Sequence, residues 1–311
     1  MAVAPTTYDE AADALRAAAE RGGPAGISLA GLDRIVRHDA GDLTAVLQAG
    51  VRLSAAQEAF ARDGQMLALD APDPDATIGE IVSAAESGPL RHRYGGVRDL
   101  LIGVAIALTD GTVARSGGRV IKNVAGYDLA KLVTGSRGTL GVVLEVAVRL
   151  HPLPRSRATA VFATADSVEL GRTVNALSHA PLELEALDVR WAEGRGAVLA
   201  RFAGSCAAAR AHRAGGEVLE NDEELWAAQR SGQAGARKLS LLQTEWPRLC
   251  RAVDEAGGSL VGRGALGLAW VAADDTSPVR AEFPPREPPA AQRALEERLR
   301  ARFDVHGALV A

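Results

Sequence analysis

Three glycines in seven residues, Gly135, Gly138 and Gly141, separate a helix-forming run from a strongly alternating one. Apolar alternation does not require them. Close approach of backbone N–H groups to a flat or phosphorylated ligand does. Thr77-Ile78-Gly79 through Ser87-Gly88 is a second stretch of small residues of that kind. Between the two, Lys122-Asn123 gives polar reach just before a helix, whose N-terminal N–H groups favour an anion. On glycine spacing alone, tight turns are the simpler reading.

Other chemistry is thinly represented. Six histidines show no metal spacing such as HxxxH, and His92, between Arg91 and Arg93, reads as a lone exposed side chain. Cys206 and Cys250 form no CxxC pair, so they read as buried or half-buried free thiols, too few for an iron–sulfur cluster. Neither a GxSxG elbow nor a Walker loop occurs. Arg98-Asp99 fits a structural ion pair, and Trp191, Trp226, Trp246 and Trp270 read as core. No residue stands out as a catalytic base.

The elements that must position the glycines follow from local signals. Thr7 and Glu10 have capping-box spacing before an Ala/Leu-rich helix that Gly22-Gly23 stops. Ile27 to Asp33 reads as a short strand and turn, Leu43 to Gln48 as a strand, and Ser54 as the cap of a helix running to Gly64. Ala71-Pro72-Asp73-Pro74 excludes regular structure. Ile102, Val104, Ile106 and Leu108 alternate with small residues, and Asp110-Gly111 is a hairpin signal. Leu129, Leu132 and Val133 have helical spacing up to Gly135, and Val142 to Leu150 alternate as a strand.

His151-Pro152-Leu153-Pro154 is a rigid exit, which predicts domains at 1–154 and 155–311. Beyond it, alternating strand and helix signals predict an α+β domain with an antiparallel sheet. Residues 284–289 read as a linker to a last helix, Ala290 to Phe303, whose Arg298, Arg300 and Arg302 beside Glu296 and Glu297 read as a solvated face.

The 311 residues suffice for two domains. A net charge of −4 carries no electrostatic footprint for nucleic acid. No run of eighteen apolar residues occurs, and the first residues have neither a basic start nor an apolar core. The expected location is the cytoplasm, with the inner membrane reached only through partners.

From about Leu29 to Pro154, and above all in KNVAGYDL followed by the Gly138–Val143 turn, the sequence resembles flavoproteins of the vanillyl-alcohol oxidase/p-cresol methylhydroxylase (PCMH) type. The resemblance implies an α+β fold, a PCMH-type FAD-binding domain of two subdomains followed by a smaller α+β cap. It implies FAD held by Pro72, Thr77, Ile78, Gly79, Ser87, Gly88, Tyr94, Gly95, Asn123, Tyr127, Gly138, Gly141 and Val142. It also implies hydride transfer from a small 2-hydroxy acid to the flavin. Expected partners are a related flavoprotein subunit and an iron–sulfur subunit of a glycolate oxidase-like complex.

Three departures from the family pattern touch the cofactor region. Only Arg21-Gly22-Gly23-Pro24-Ala25-Gly26 stands where relatives place a strand and a glycine-rich phosphate loop. Glu80 and Glu86 replace small or neutral residues; they either face a pyrophosphate and repel it or point to solvent. The C-terminus lacks the family's asparagine-proline-glycine ending. Two functions stay open at this level. One is an FAD-binding subunit of a 2-hydroxy-acid oxidoreductase; the other is a flavin-free subunit that stabilises a catalytic homologue.

Overall fold

A computed structural model describes residues 3–118, 128–285, 287–304 and 307–309. The chain forms two compact units. Residues 1–87, 95–153 and 287–311 make the first, and residues 88–94 and 154–286 the second. Both are α+β.

The first unit opens with helix α1 (Tyr8–Glu20), strands β1 (Ile35–Asp39) and β2 (Thr44–Gln48), and helix α2 (Leu53–Ala61). Strand β3 (Gln65–Met66) and helix α3 (Ile78–Ala84) follow. Helix α4 (Arg91–Tyr94) groups with the second unit. The chain returns with α5 (Val97–Leu100), β4 (Leu101–Ala107), β5 (Val113–Gly117), α6 (Leu129–Val133), β6 (Val142–Arg149) and β7 (His151–Pro152). Strands β1, β2, β6, β4 and β5, in that order, form one antiparallel sheet.

The capping box forms as its spacing predicts: Thr7 Oγ1 accepts from the Glu10 N–H at 3.2 Å, and Glu10 accepts from the Thr7 N–H at 3.3 Å. Leu15 and four alanines of α1 then pack on Leu144 and Ala107. Ahead of β1 the described residues form this helix, one parallel bridge, Val3 with Ile27, and a short 3₁₀ turn, Leu29–Gly31. Ser54 does not cap α2. The helix begins at Leu53, and Ser54 Oγ instead donates to Asp75 at 2.9 Å. Arg98-Asp99 is likewise not an ion pair among the described residues, because Asp99 accepts from the Gly96 N–H at 2.8 Å at the start of α5.

The second unit contains β8 (Arg157–Thr164), α7 (Ser167–His179), β9 (Ala186–Ala192), β10 (Arg195–Ala203), α8 (Ala207–Ala214) and β11 (Glu217–Leu219). It continues with α9 (Glu223–Ser231), β12 (Arg237–Ser240), α10 (Trp246–Glu255), β13 (Ser259–Arg263), β14 (Leu268–Ala272) and α11 (Ser277–Glu282). Its sheet has seven strands in the order β11-β8-β10-β9-β13-β14-β12, all antiparallel. Leu187, Val189 and Trp191 point to one face, where they pack with α7, α8 and α10 around Trp246. All four tryptophans are buried, as core residues are.

The last helix, α12 (Ala290–Phe303), matches its sequence limits and has no buried residue. Residues 287–311, which sequence places with the second domain, segregate with the first unit. The reason is local bonding: Thr109 Oγ1 donates to the Phe303 carbonyl at 3.0 Å, the Ala25 N–H donates to the Ala308 carbonyl at 3.0 Å, and Ala308 is buried beside α1.

The two thiols differ sharply, and Cys206 corrects the sequence expectation because it is exposed. Cys250 is fully buried on α10, and burial with the nearby Asp254 charge pushes its thiol up to about 12. A thiolate is the reactive form. Native protein therefore releases one equivalent of chromophore with Ellman's reagent, from Cys206, and a second only after unfolding; two equivalents from folded protein would contradict this.

Asp188 on β9 and Arg263 on β13 form a fully buried ion pair. Burial raises the Asp188 carboxyl to about 6, with Arg263 working in the opposite direction. A carboxyl raised in the folded state binds its proton more tightly there than in the unfolded chain. Rising pH therefore removes stability between the unfolded value, about 4, and about 6. Urea titrations across that window should show the decline, and Asp188→Asn should flatten it.

Candidate functional site

Backbone hydrogen bonds gather the small-residue stretches of the first unit. The Ile78 N–H donates to Val51 O at 2.8 Å and the Gly79 N–H to Ala49 O at 2.7 Å, which fastens the start of α3 beside the end of β2. At the other end of α3, the Gly135 N–H donates to Val82 O at 3.0 Å and the Arg137 N–H to Ser83 O at 2.9 Å. The glycine turn after α6 is thereby pinned to α3. A cleft of about 930 Å³ results, of the size that takes a cofactor.

Of the sequence-derived site residues, Thr77, Gly79, Gly138, Gly141 and Val142 line this cleft. Pro72, Ile78, Ser87 and Gly95 belong to the same unit but not to its lining, and Ile78 and Ser87 are buried. Gly88 and Tyr94 group with the second unit. Asn123 and Tyr127 lie outside the described residues. Sequence reasoning missed Ser28, Leu29 and Ala30, which line the cleft at and just before the short 3₁₀ turn Leu29–Gly31, where a short strand and turn were expected. It also missed Arg137, whose φ of +52° beside Gly138 marks a turn built for close approach.

The glycines answer to different constraints. A Cβ on Gly79 would lie 3.0 Å from the Ala49 Cβ, so its smallness serves packing on β2. Gly141 has φ +134°, and a Cβ there would lie 2.8 Å from the Ala107 carbonyl oxygen. Gly138 has φ +79°, and its N–H donates to no protein acceptor among the described residues.

The two acidic departures resolve differently. Glu80 Oε2 accepts from the Thr77 N–H at 2.7 Å and from Thr77 Oγ1 at 2.9 Å, so its carboxylate is folded back as the partner in a capping box. Glu86 is exposed and also lines the cleft. Arg137, also exposed, lines the same cleft. His92 corrects its sequence reading. It is half-buried, its Nδ1 has no partner among the described residues, and burial lowers its pKa.

Residues 25–117 match the family described as FAD binding domain. All but a few of the matched residues belong to the first unit. The sequence is 40% identical over 124 residues to glycolate oxidase subunit GlcE of Escherichia coli (strain K12), covering 39% of this chain and 35% of that protein. It is 37% identical over 120 residues to the mitochondrial D-lactate dehydrogenase [cytochrome] of Arabidopsis thaliana, covering 39% of this chain and 21% of that one. The chain thus spans at most about a third of the length of these relatives. An alkyldihydroxyacetonephosphate synthase structure superposes with a TM-score of 0.73 at 12% identity, over 98% of this chain and 75% of that chain. At that identity it establishes the PCMH-type fold alone.

The lining of this cleft fits FAD in part. Arg137 and the Gly138 N–H, which has no acceptor among the described residues, would supply a charge and a donor to a phosphate oxygen. Leu29, Ala30, Ala84 and Val143 give small or apolar walls. Glu80 and Glu86 line the same cleft, and of the two only Glu86 leaves its carboxylate free of a capping role.

Proposed function

We propose that this chain is the FAD-binding subunit of a 2-hydroxy-acid oxidoreductase of the glycolate oxidase type. The reading takes residues 1–154 as the cofactor domain and the strands and helices after Pro154 as a cap. It places the protein in the cytoplasm, working with a related flavoprotein subunit and an iron–sulfur subunit and meeting the inner membrane only through them. The observation that carries it is the cleft in which Thr77, Gly79, Gly138, Gly141 and Val142 converge within an FAD-binding domain. Among the described residues no helix is long and apolar enough to cross a membrane.

Within this reading, Arg137 and the Gly138 N–H bind the diphosphate, and Ser28, Thr77 and Val142 line the groove beside it. When bound, FAD supplies the two-electron acceptor for the hydrogen on the substrate carbon. Leu29, Ala30 and Val143 would supply apolar wall that keeps water from the bound cofactor. The Glu80 carboxylate, held by Thr77, keeps its charge on the helix terminus rather than on the diphosphate.

A second reading, a flavin-free subunit that stabilises a catalytic homologue, is favoured by one set of observations. Ahead of β1 the described residues form one helix, one bridge and a 3₁₀ turn, and Glu80 and Glu86 both line the cleft. A visible absorption spectrum of purified protein, with mass spectrometry of any cofactor released on denaturation, separates the two. Stoichiometric FAD supports the enzyme subunit. Protein that stays colourless after incubation with excess FAD overturns it in favour of the second reading.

A further inference from the structure

The second unit brings together two arginines that no carboxylate neutralises. Arg237 on β12 and Arg280 on α11 line one cleft of about 670 Å³. Neither forms an ion pair among the described residues, and Glu282, the one carboxylate of α11, pairs with Arg248 instead. Arg237 Nη2 donates to the Phe283 carbonyl at 3.2 Å, which fixes the side chain, and its Nη1 has no acceptor among the described residues. Burial, and after it the Arg280 charge, hold the Arg237 guanidinium below the usual arginine range. The two cations are therefore close enough to repel each other, and an anion in the cleft would relieve that repulsion.

The same cleft carries neutral donors. Gly235, in the turn before β12, and Thr276, just ahead of α11, both line it. The Gly235 N–H donates to no protein acceptor among the described residues, and the Thr276 hydroxyl makes no capping bond to its helix. Gly258 lines it too. A Cβ there would lie 2.6 Å from the Ala272 carbonyl oxygen, so this wall is closely packed backbone. Two carboxylates share the lining. Glu193 pairs with Arg195 at 3.6 Å, and Asp274 is exposed and neutralises neither arginine.

We propose that this cleft binds the phosphoryl group of a small phosphorylated molecule through Arg237 and Arg280. Two guanidinium forks on separate elements suit a tetrahedral dianion with three free oxygens, whereas a single fork already satisfies both oxygens of a carboxylate. The Gly235 N–H and the Thr276 hydroxyl are the donors left for the remaining oxygen lone pairs. A phosphoryl group fills only part of 670 Å³, and the rest takes the organic body. The site stands independently of FAD occupancy, because every residue in it belongs to the second unit.

Isothermal titration of the full chain with glucose 6-phosphate, glucose and acetate tests it. Every titration is made in an Arg137→Gly background, because the cleft of the first unit has its own arginine to offer a phosphate. Glucose 6-phosphate should bind with one-to-one stoichiometry and a Kd of about 1 mM or below, acetate at least about tenfold more weakly, and glucose should give no heat. Arg280→Ala, at an exposed position that the fold does not depend on, should weaken glucose 6-phosphate about tenfold. Asp274→Asn removes a negative charge from the lining and should tighten it about twofold, a gain that damaged folding does not produce. Absence of heat from glucose 6-phosphate up to about 10 mM would overturn the proposal. So would acetate binding as tightly, or binding that Arg280→Ala leaves unchanged.

Discussion

Glu185→Ala destabilises the second unit by about 3–5 kcal/mol, the cost of breaking a buried ion pair from one side. Glu185 is fully buried and accepts from Arg157 Nε at 2.7 Å and Nη2 at 3.2 Å. Its carboxylate also lies 3.7 Å from Arg201 Nε. Without it, two guanidinium groups face each other across a dehydrated gap. Arg201 retains Asp222 at 2.7 Å, whereas Arg157, largely covered, loses its bidentate partner. Urea unfolding checks this. The midpoint should fall with the slope unchanged, because the folded state stays as compact. Pairing the change with Arg157→Met should recover part of the loss, since the guanidinium left unpaired is removed, while the void left by the shorter alanine remains. A single-variant loss below about 1 kcal/mol would place the pair with ordinary surface salt bridges and contradict the account.

The second large effect concerns the cofactor cleft. Gly141→Ala combines a backbone conformation that side-chain-bearing residues avoid with a Cβ placed 2.8 Å from the Ala107 carbonyl oxygen. The strained dihedral alone costs about 1–3 kcal/mol. The clash is with backbone of β4, which cannot yield as a flexible side chain would. The turn must therefore shift, and with it Gly138 and Arg137, which rest on the same loop. We expect a lower thermal midpoint together with at least a tenfold loss of FAD affinity, read from flavin absorbance per protein after dialysis. Gly194→Ala is the control. It also sits at positive φ, +70°, but a Cβ there meets nothing within 4 Å. It should cost the strain alone and leave FAD binding unchanged. Equal flavin retention by Gly141→Ala and the natural protein would remove this turn from the site.

Much of the element inventory was legible because its signals are local. The Thr7–Glu10 spacing, the 102–108 alternation, the Asp110-Gly111 turn and the helix at 290–303 each depend on residues within a few positions. Where a local signal had a distant competitor, the competitor prevailed. Ser54 serves Asp75, twenty-one residues away, instead of its own helix. The free choice of Glu80, toward solvent or toward a diphosphate, was settled by Thr77 beside it, a capping box whose spacing was present but unread.

By itself, the sequence determined the element order, the glycine turns and the kinship of the N-terminal half, because repeat spacing and chain stiffness act over a few residues. Only the tertiary structure decided which of those parts meet. Ser28 to Ala30 join Thr77 and Gly138 across about fifty and then sixty residues of chain, and the bonds that bring the turn to α3 are backbone bonds that no side-chain pattern announces. The same holds for the second unit. Asp188 and Arg263 are 75 residues apart, and antiparallel register, not sequence, sets them side by side.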